Sequence, residues 1–425
     1  MSKYITEKLQ NKGKLFFTVF VIVSAFGAYS CIYGLRKPFT VGIYEGIKFF
    51  GIDYKIVLVI SQVSGYMLAK IYGIKFISEM PKNKRAFTLI LIFFAAELSL
   101  VLFGITPVPY NLFFMFLNGI PLGLAWGLIF SYLEGRNLTE ILGAGLCAAF
   151  IVSSGFVKTI GKIIIVDLGT GEFLMPMITG AIFILPYLLF VWMLNKIPEP
   201  TKEEEEYKIK RVQMFSKDRK KFLIRFMPGL ILLTLSYMLI SGYRDFRDNF
   251  AADIWKSMGF GNQSSIFTTT EIIVALTVLS ILSLIMLIKN NYSALNTNFA
   301  ALIIGFIAIG GGTYLYTQSL ISSYLWMVVN GFGAFMCYVP FNAILFDRLI
   351  AAFRQEGNSG FLIYFADSFG YLASIIIMLY KNFGAGESSS LDFFIQAGYI
   401  VMIFGGILIL FSIYYFYKKQ KELKV

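Results

Sequence analysis

The chain has 425 residues, of which 57% are hydrophobic and only 15% charged, with a formal net charge of +12 and a mean hydropathy of +0.71. So little charge cannot cover the surface of a soluble domain of this length. With no histidine anywhere, histidine proton relays and His-ligated metal sites are excluded.

Roughly 20 apolar residues cross a bilayer as a helix. About twelve such stretches follow in order, starting near Leu15, Tyr54, Ala86, Asn111, Ile141, Phe173, Phe222, Ser265, Phe299, Tyr324, Gly360 and Phe393. They are continuously apolar, whereas a membrane β-barrel shows alternating segments of about ten residues. The expected fold is therefore an all-α polytopic membrane protein. The first apolar run is too long for a signal-peptide core and follows a charged start, so no cleavable signal is expected.

The first span ends in Tyr33-Gly34-Leu35-Arg36-Lys37-Pro38-Phe39. A charge near the bilayer centre costs about 2.5–3.5 kcal/mol on insertion scales. Two adjacent cations are thus unlikely to face lipid, and an anion site is their functional reading. Snorkelling at a helix end is the bland one. Lys70 in the second span, Lys158 in the fifth and Asp367 in the eleventh are further charges in apolar runs. An intramembrane acid such as Asp367 is a candidate proton site, or a partner for Lys70 or Lys158. Cys31, Cys147 and Cys337 fall in separate spans and read as small packing residues.

The cations are placed asymmetrically. Lys3, Lys8, Lys12 and Lys14 precede the first span, and Lys82, Lys84 and Arg85 separate the second from the third. A dense cluster from Lys196 to Lys221 follows the sixth, and Lys418, Lys419, Lys421 and Lys424 come last. Connections such as Thr106–Tyr110 and Thr317–Ser319 carry none. Cytoplasmic loops are the cation-rich ones. Both termini and the central loop are expected in the cytoplasm, the protein in the cell membrane, and nucleic acid is excluded as a partner.

The polar stretch centred on Glu203–Glu206 divides the chain into expected bundles at 1–195 and 222–425, joined by a charged linker at 196–221. The halves repeat weakly. Asn118-Gly119 recurs 212 residues later as Asn330-Gly331, and Arg136 as Arg348, each arginine preceded by an acid, Glu134 or Asp347. Nearly the same offset carries Arg36 to Arg247, with Arg244 as the competing register. A tandem repeat with polar groups at its centre is a transporter architecture.

With these residues in view, the chain resembles the major facilitator superfamily, and within it the organophosphate:phosphate antiporter branch. The resemblance rests on Phe26-Gly27-Ala28-Tyr29 with Arg36-Lys37-Pro38-Phe39; on Gly65-Tyr66 with Lys70, Glu79 and Arg85; and on Arg247 with Asp253 and Trp255. Ser264-Ser265 with Glu271, and Ser359-Gly360-Phe361 with Phe369-Gly370-Tyr371-Leu372, extend it. The chain departs from the branch at a fifth-span histidine, whose place falls near Ser153-Ser154.

The resemblance implies twelve helices in two six-helix bundles and alternating-access transport of a small organic anion, a phosphorylated compound foremost, in exchange for phosphate. Arg36, Lys70 and Arg247 would bind the substrate, with Tyr29, Tyr33, Tyr66 and Trp126 lining the cavity. Lys37 and Glu271 would form a bridge between the halves, and Lys158 and Asp367 would serve gating or coupling. A proton-coupled carboxylate symporter and a transporter-like anion sensor are the alternatives. No enzyme activity, cofactor or metal is expected, and the chain is expected to work as a monomer.

Overall fold

The computed structural model describes residues 13–78, 80–133, 139–199, 216–353, 359–386 and 388–423. Glu79, Glu134, Arg136, the Glu203–Glu206 run and the outermost terminal lysines lie outside the described residues. Within them the chain is helical apart from a two-residue hairpin, Lys48–Phe49 against Ile52–Asp53. Its turn residues, Phe50 at φ 50° and Gly51 at φ 77°, have the paired positive angles that suit the twist of a tight hairpin.

In lipid every backbone N–H and C=O must be satisfied internally, which is why continuous apolar runs become helices. Nine helices among the described residues are long and apolar enough to cross a membrane, or ten when one bent pair counts as a span. Two more, Tyr54–Ser78 and Ser359–Phe383, have 25 residues each and so spanning length; they are the second and eleventh stretches of the sequence reading. Leu98, Leu284, Ile307 and Phe411, each more than half exposed, belong to the apolar outer surface that a bilayer covers. This is a multi-pass helical membrane protein.

Contacts divide the chain into two units: Met1–Lys208 with Asn249–Thr269, and Ile209–Asp248 with Thr270–Val425. The first holds α1 (Lys14–Arg36), α2 (Tyr54–Ser78), α3 (Arg85–Ile105), α4 (Leu112–Phe130), α5 (Thr139–Val166), α6 (Met175–Ile182) and α7 (Ile184–Leu194). Helix α1 stops at Arg36 because Pro38 lacks the N–H that would continue its hydrogen-bond ladder. A short 3-10 turn, Pro38–Val41, follows. Helices α2 and α4 pack most closely: a Cβ at Gly119 would overlap the Gln62 carbonyl, and one at Gly65 the Phe116 carbonyl.

Helices α6 and α7 make one span bent by 42°. Pro186 is the cause, since its ring displaces the carbonyl four residues earlier, at Ile182, where α6 ends. The first unit also takes in α9 (Ala251–Ser257), which follows the seventh span.

The second unit contains α8 (Ser216–Asn249, its last residue grouped with the first unit), α10 (Ile266–Met286, its first four residues grouped with the first unit), α11 (Asn291–Thr317) and α12 (Ser323–Ala343). It continues through α13 (Leu345–Ala352), α14 (Ser359–Phe383), α15 (Ser390–Ile400) and α16 (Gly406–Leu423), the last two joined by a π turn at Val401–Gly405. The Asn290, Ser322 and Ser389 side chains cap α11, α12 and α15. Gly305 and Gly333 bring α11 and α12 together, an added Cβ at Gly333 falling 2.6 Å from the Gly305 carbonyl.

Candidate functional site

In the first unit the polar groups gather where α1 ends. Gln62 Nε2 donates to the Arg36 carbonyl at 3.1 Å and to Asn118 Oδ1 at 2.7 Å. Asn118 is fully buried and donates to the Ala96 carbonyl at 3.0 Å. That network pins the backbone carrying Arg36 to α2, α3 and α4. The Arg36 guanidinium is half-buried, 4.4 Å above the Tyr66 ring and 5.8 Å from that of Tyr33.

Lys70, one turn along α2 from Tyr66, places its ammonium 5.6 Å from the Tyr66 ring and 5.9 Å from Trp126. Tyr29 meets Tyr33 edge-on at 5.4 Å, the four-residue spacing putting both on one helix face. Arg36, Lys70, Tyr33, Tyr66 and Trp126 thus form one cation–aromatic station, with Tyr29 adjoining. At the fifth-span position noted above, Ser153 shares a 2.7 Å hydrogen bond with Ser30.

Lys37 turns away from this station. Its buried ammonium donates to Asn249 Oδ1 at 2.9 Å, 212 residues on. Nearby contacts also tie the segment after α8 into the first unit. Lys55 pairs with Asp253 and lies 5.4 Å from the Phe250 ring, Thr159 donates to the Ser264 carbonyl at 2.9 Å, and Thr268 bonds Thr159 at 2.7 Å. Buried Lys158 and the Glu172 carboxylate are within electrostatic reach of Lys55. Glu172 also accepts from the Ile43 and Tyr44 amides at 2.7 and 2.8 Å. In this connecting region burial, reinforced by the Glu172 charge, pushes the Tyr44 hydroxyl well above its ordinary pKa, while the Glu45 hydrogen bond raises the exposed Lys256 ammonium.

In the second unit Arg247 and Arg244 have different surroundings. Arg247 is 3% exposed; it donates to Glu271 Oε1 at 2.7 Å and to the Met327 carbonyl at 3.0 Å. A Cβ at Gly331 would lie 2.6 Å from its Nη2, so this glycine makes room for the fork. Counted back by 212 residues, Arg247 falls on Leu35, a fully buried packing residue. Its fork joins α8 to α10 and α12, and the partner of Glu271 here is Arg247.

Arg244 is half-buried, with its guanidinium 3.6 Å above the Tyr338 ring and paired with Asp245. Asp245 also accepts from Ser374. Tyr338 stacks on Tyr237 at 5.4 Å, and Tyr237 donates to Asp367 and accepts from Asn342 at 3.2 Å. The sequence reading offered Lys70 or Lys158 to Asp367; the partner found in its own unit is Tyr237. Tyr338 lies 212 residues after Trp126, so the repeat places a cation on an equivalent ring in each unit.

Sequence reading missed Lys55, Gln62 and Glu97. A charged or amide residue inside an apolar run is itself the signal; Glu97, within Ala95-Ala96-Glu97-Leu98, met that rule and was passed over. Among the described residues no cluster of His, Cys, Asp or Glu could hold a metal ion. The three cysteines are buried thiols.

A family model described as "Family of unknown function (DUF5690)" matches residues 38–419. The chain belongs to the DUF5690 family. No curated protein matches this DUF5690 chain, but solved structures do.

A D-xylose–proton symporter superposes with a TM-score of 0.61 at 16% identity, covering 94% of this chain and 97% of the other. A peptide transporter of the POT type, in complex with sulfate, gives 0.63 at 12% identity and 98% of each chain. The nucleoside transporter NupG gives 0.59 at 14% identity, over 94% and 98%. At such identities the likeness establishes the fold, which is the major facilitator fold. These matches do not single out the organophosphate:phosphate branch whose motifs the sequence resembles.

Proposed function

We propose that this DUF5690 protein is a secondary transporter that moves a small organic anion by alternating access, with a phosphorylated compound as the first candidate and phosphate as the counter-substrate. The observation that carries the proposal is the station of Arg36 and Lys70 on the rings of Tyr33, Tyr66 and Trp126. Stacking on a ring uses the face of a guanidinium rather than its in-plane N–H donors. Those donors match phosphate or carboxylate oxygens in pairs. Half-burial strengthens the attraction, because charges interact more strongly as the local dielectric falls.

Arg244 on Tyr338 is the corresponding station of the second unit. It is preferred to Arg247 as a ligand, because it is half-buried whereas Arg247 is 3% exposed, with both terminal nitrogens spent on Glu271 and the Met327 carbonyl. The shared fold supports transport as the class of function, since the xylose, nucleoside and peptide proteins above are all transporters by description. Lys37, Lys158, Glu271 and Asp367 remain proposed gating or coupling residues, placed in the cell membrane of a chain acting as a monomer.

The test is counterflow in proteoliposomes with labelled phosphate and sugar phosphates, with and without a proton gradient, and labelled xylose as the neutral comparison. Anion counterflow that Arg36→Ala reduces supports the proposal. Xylose counterflow with no anion exchange would sink it. A second reading, proton-coupled uptake, is favoured by the surroundings of one carboxyl group in α3.

A further inference from the structure

Glu97 sits twelve residues into α3, about 18 Å along the helix at 1.5 Å per residue, well inside an apolar span of the first unit. It is 92% buried, at 8% relative exposure. Its Oε2 is shielded from solvent and has no hydrogen-bond partner. The carboxyl lies against the backbone of α6: a Cβ at Gly180 would overlap Oε2. A side chain at position 180 would have to displace the carboxyl end of Glu97 and the tip of Leu35.

The helices packed against α3 supply no counter-charge. Helices α4, α6 and α7 contain no charged residue, and the titratable group of α7, Tyr187, donates to the Leu89 carbonyl at 2.9 Å. On α1, Cys31 is a buried thiol, Tyr29 and Tyr33 pack on each other, and Arg36 lies on Tyr66. On α3 itself, Arg85 at the helix start donates to the Ser131 carbonyl at 3.0 Å. An ionised carboxylate here would be a buried charge without a partner, the costliest arrangement for such a group. The neutral acid avoids that cost. Charge can appear only when water or a cation reaches the site.

A break in the sixth span adjoins it. Gly180 is three residues before Phe183, where the sixth span breaks with its 42° bend. Helix segments joined at such a break can shift relative to one another without disturbing both hydrogen-bond ladders.

We propose that Glu97 is a proton-binding site of this protein, closed by the Gly180 face of α6 and opened when the broken sixth span moves. The step is a protonation alone: the carboxylate takes H⁺ from water to give the neutral acid and later returns it to water, with no redox partner. The coupling role rests on the transporter reading above; the bound proton does not.

Infrared spectroscopy of the purified protein at neutral pH tests the site directly. A protonated-carboxyl C=O band that shifts in D₂O after prolonged exchange and is lost in Glu97→Gln is the expected result. An unchanged band pattern in Glu97→Gln overturns the proposal. Should Glu97→Gln fail to assemble, Glu97→Asp serves instead, and the band must move rather than stay in place.

In proteoliposomes Glu97→Gln should retain phosphate counterflow within about twofold and lose proton-gradient-driven accumulation. Accumulation equal to that of the parent overturns coupling through Glu97. A parent protein that exchanges no anion refutes the transport reading, while the infrared result still decides whether Glu97 holds a proton.

Discussion

At Arg36 the guanidinium lies over Tyr66, with its backbone carbonyl held by Gln62; both position and plane are set before any ligand arrives. Arg36→Lys keeps the charge and loses the planar fork, so affinity for phosphate or a sugar phosphate should fall. Arg36→Ala should cost about 1.5–3 kcal/mol of binding, the worth of hydrogen bonds to a charged group. Binding measured by calorimetry on both variants checks this, and parental affinity in Arg36→Ala would reduce the residue to a snorkelling helix end.

Arg247 makes a different prediction. Breaking a buried ion pair leaves an uncompensated charge, typically 3–5 kcal/mol of destabilisation. Arg247→Ala and Arg244→Ala each break such a pair and should lower the unfolding temperature, but only Arg244→Ala should also weaken anion binding. The opposite assignment of effects would restore Arg247 as the ligand.

Asp367 accepts from Tyr237 in a buried network. Asp367→Asn is expected to spare anion exchange and, under the Glu97 proposal, proton-driven uptake as well, which would leave Asp367 a gating or structural role. Uptake lost with exchange preserved would move the proton site to Asp367.

The most telling contact between elements is the one tying the segment after α8 to α2. Lys55 is 3% exposed and its partner Asp253 19%, so removing either strands a largely buried charge. Asp253→Ala and Lys55→Ala should each destabilise the protein. The exchanged pair, Lys55→Asp with Asp253→Lys, should recover part of the loss, as expected of residues in direct contact. Thermal unfolding of the four proteins reads the coupling, and strictly additive losses would mean that the pair contributes nothing.

The closeness of α2 and α4 is equally exposed to test. Gly119→Leu must push against the Gln62 backbone, which no rotamer change relieves, at an overpacking cost of about 1–3 kcal/mol or more. It also disturbs the residue that pins Arg36, so stability and anion binding should fall together.

Over the whole molecule the asymmetric cations predict an orientation that helix packing leaves open. With the native cysteines replaced, Gln318→Cys should label from outside intact cells with an impermeant maleimide, and a tag placed after Leu423 should stay inaccessible. Labelling at both positions from outside would overturn the cytoplasmic placement of the termini. The same rule puts the Glu203–Glu206 stretch inside, so protease added to intact cells should leave the chain uncut there.

The sequence by itself determined that this is a helical membrane protein and where its helices run, because backbone hydrogen bonds have no other partner in lipid and apolar length alone meets that demand. It marked Arg36, Lys37, Lys70, Lys158, Asp367, Arg247 and Glu271 as unusual, since any charge in an apolar run is unusual. What each touches was decided by tertiary contacts. Arg36 and Arg244 lie on rings and Arg247 in an ion pair, although all three end the same kind of apolar run; Lys37 finds Asn249 and Glu271 finds Arg247. The tertiary structure also decided that Glu97 Oε2 has no hydrogen-bond partner among the described residues. A sequence can show that a charge is embedded, but its energy depends on which atoms lie within a few ångströms, and those arrive from other helices through the packing of the chain.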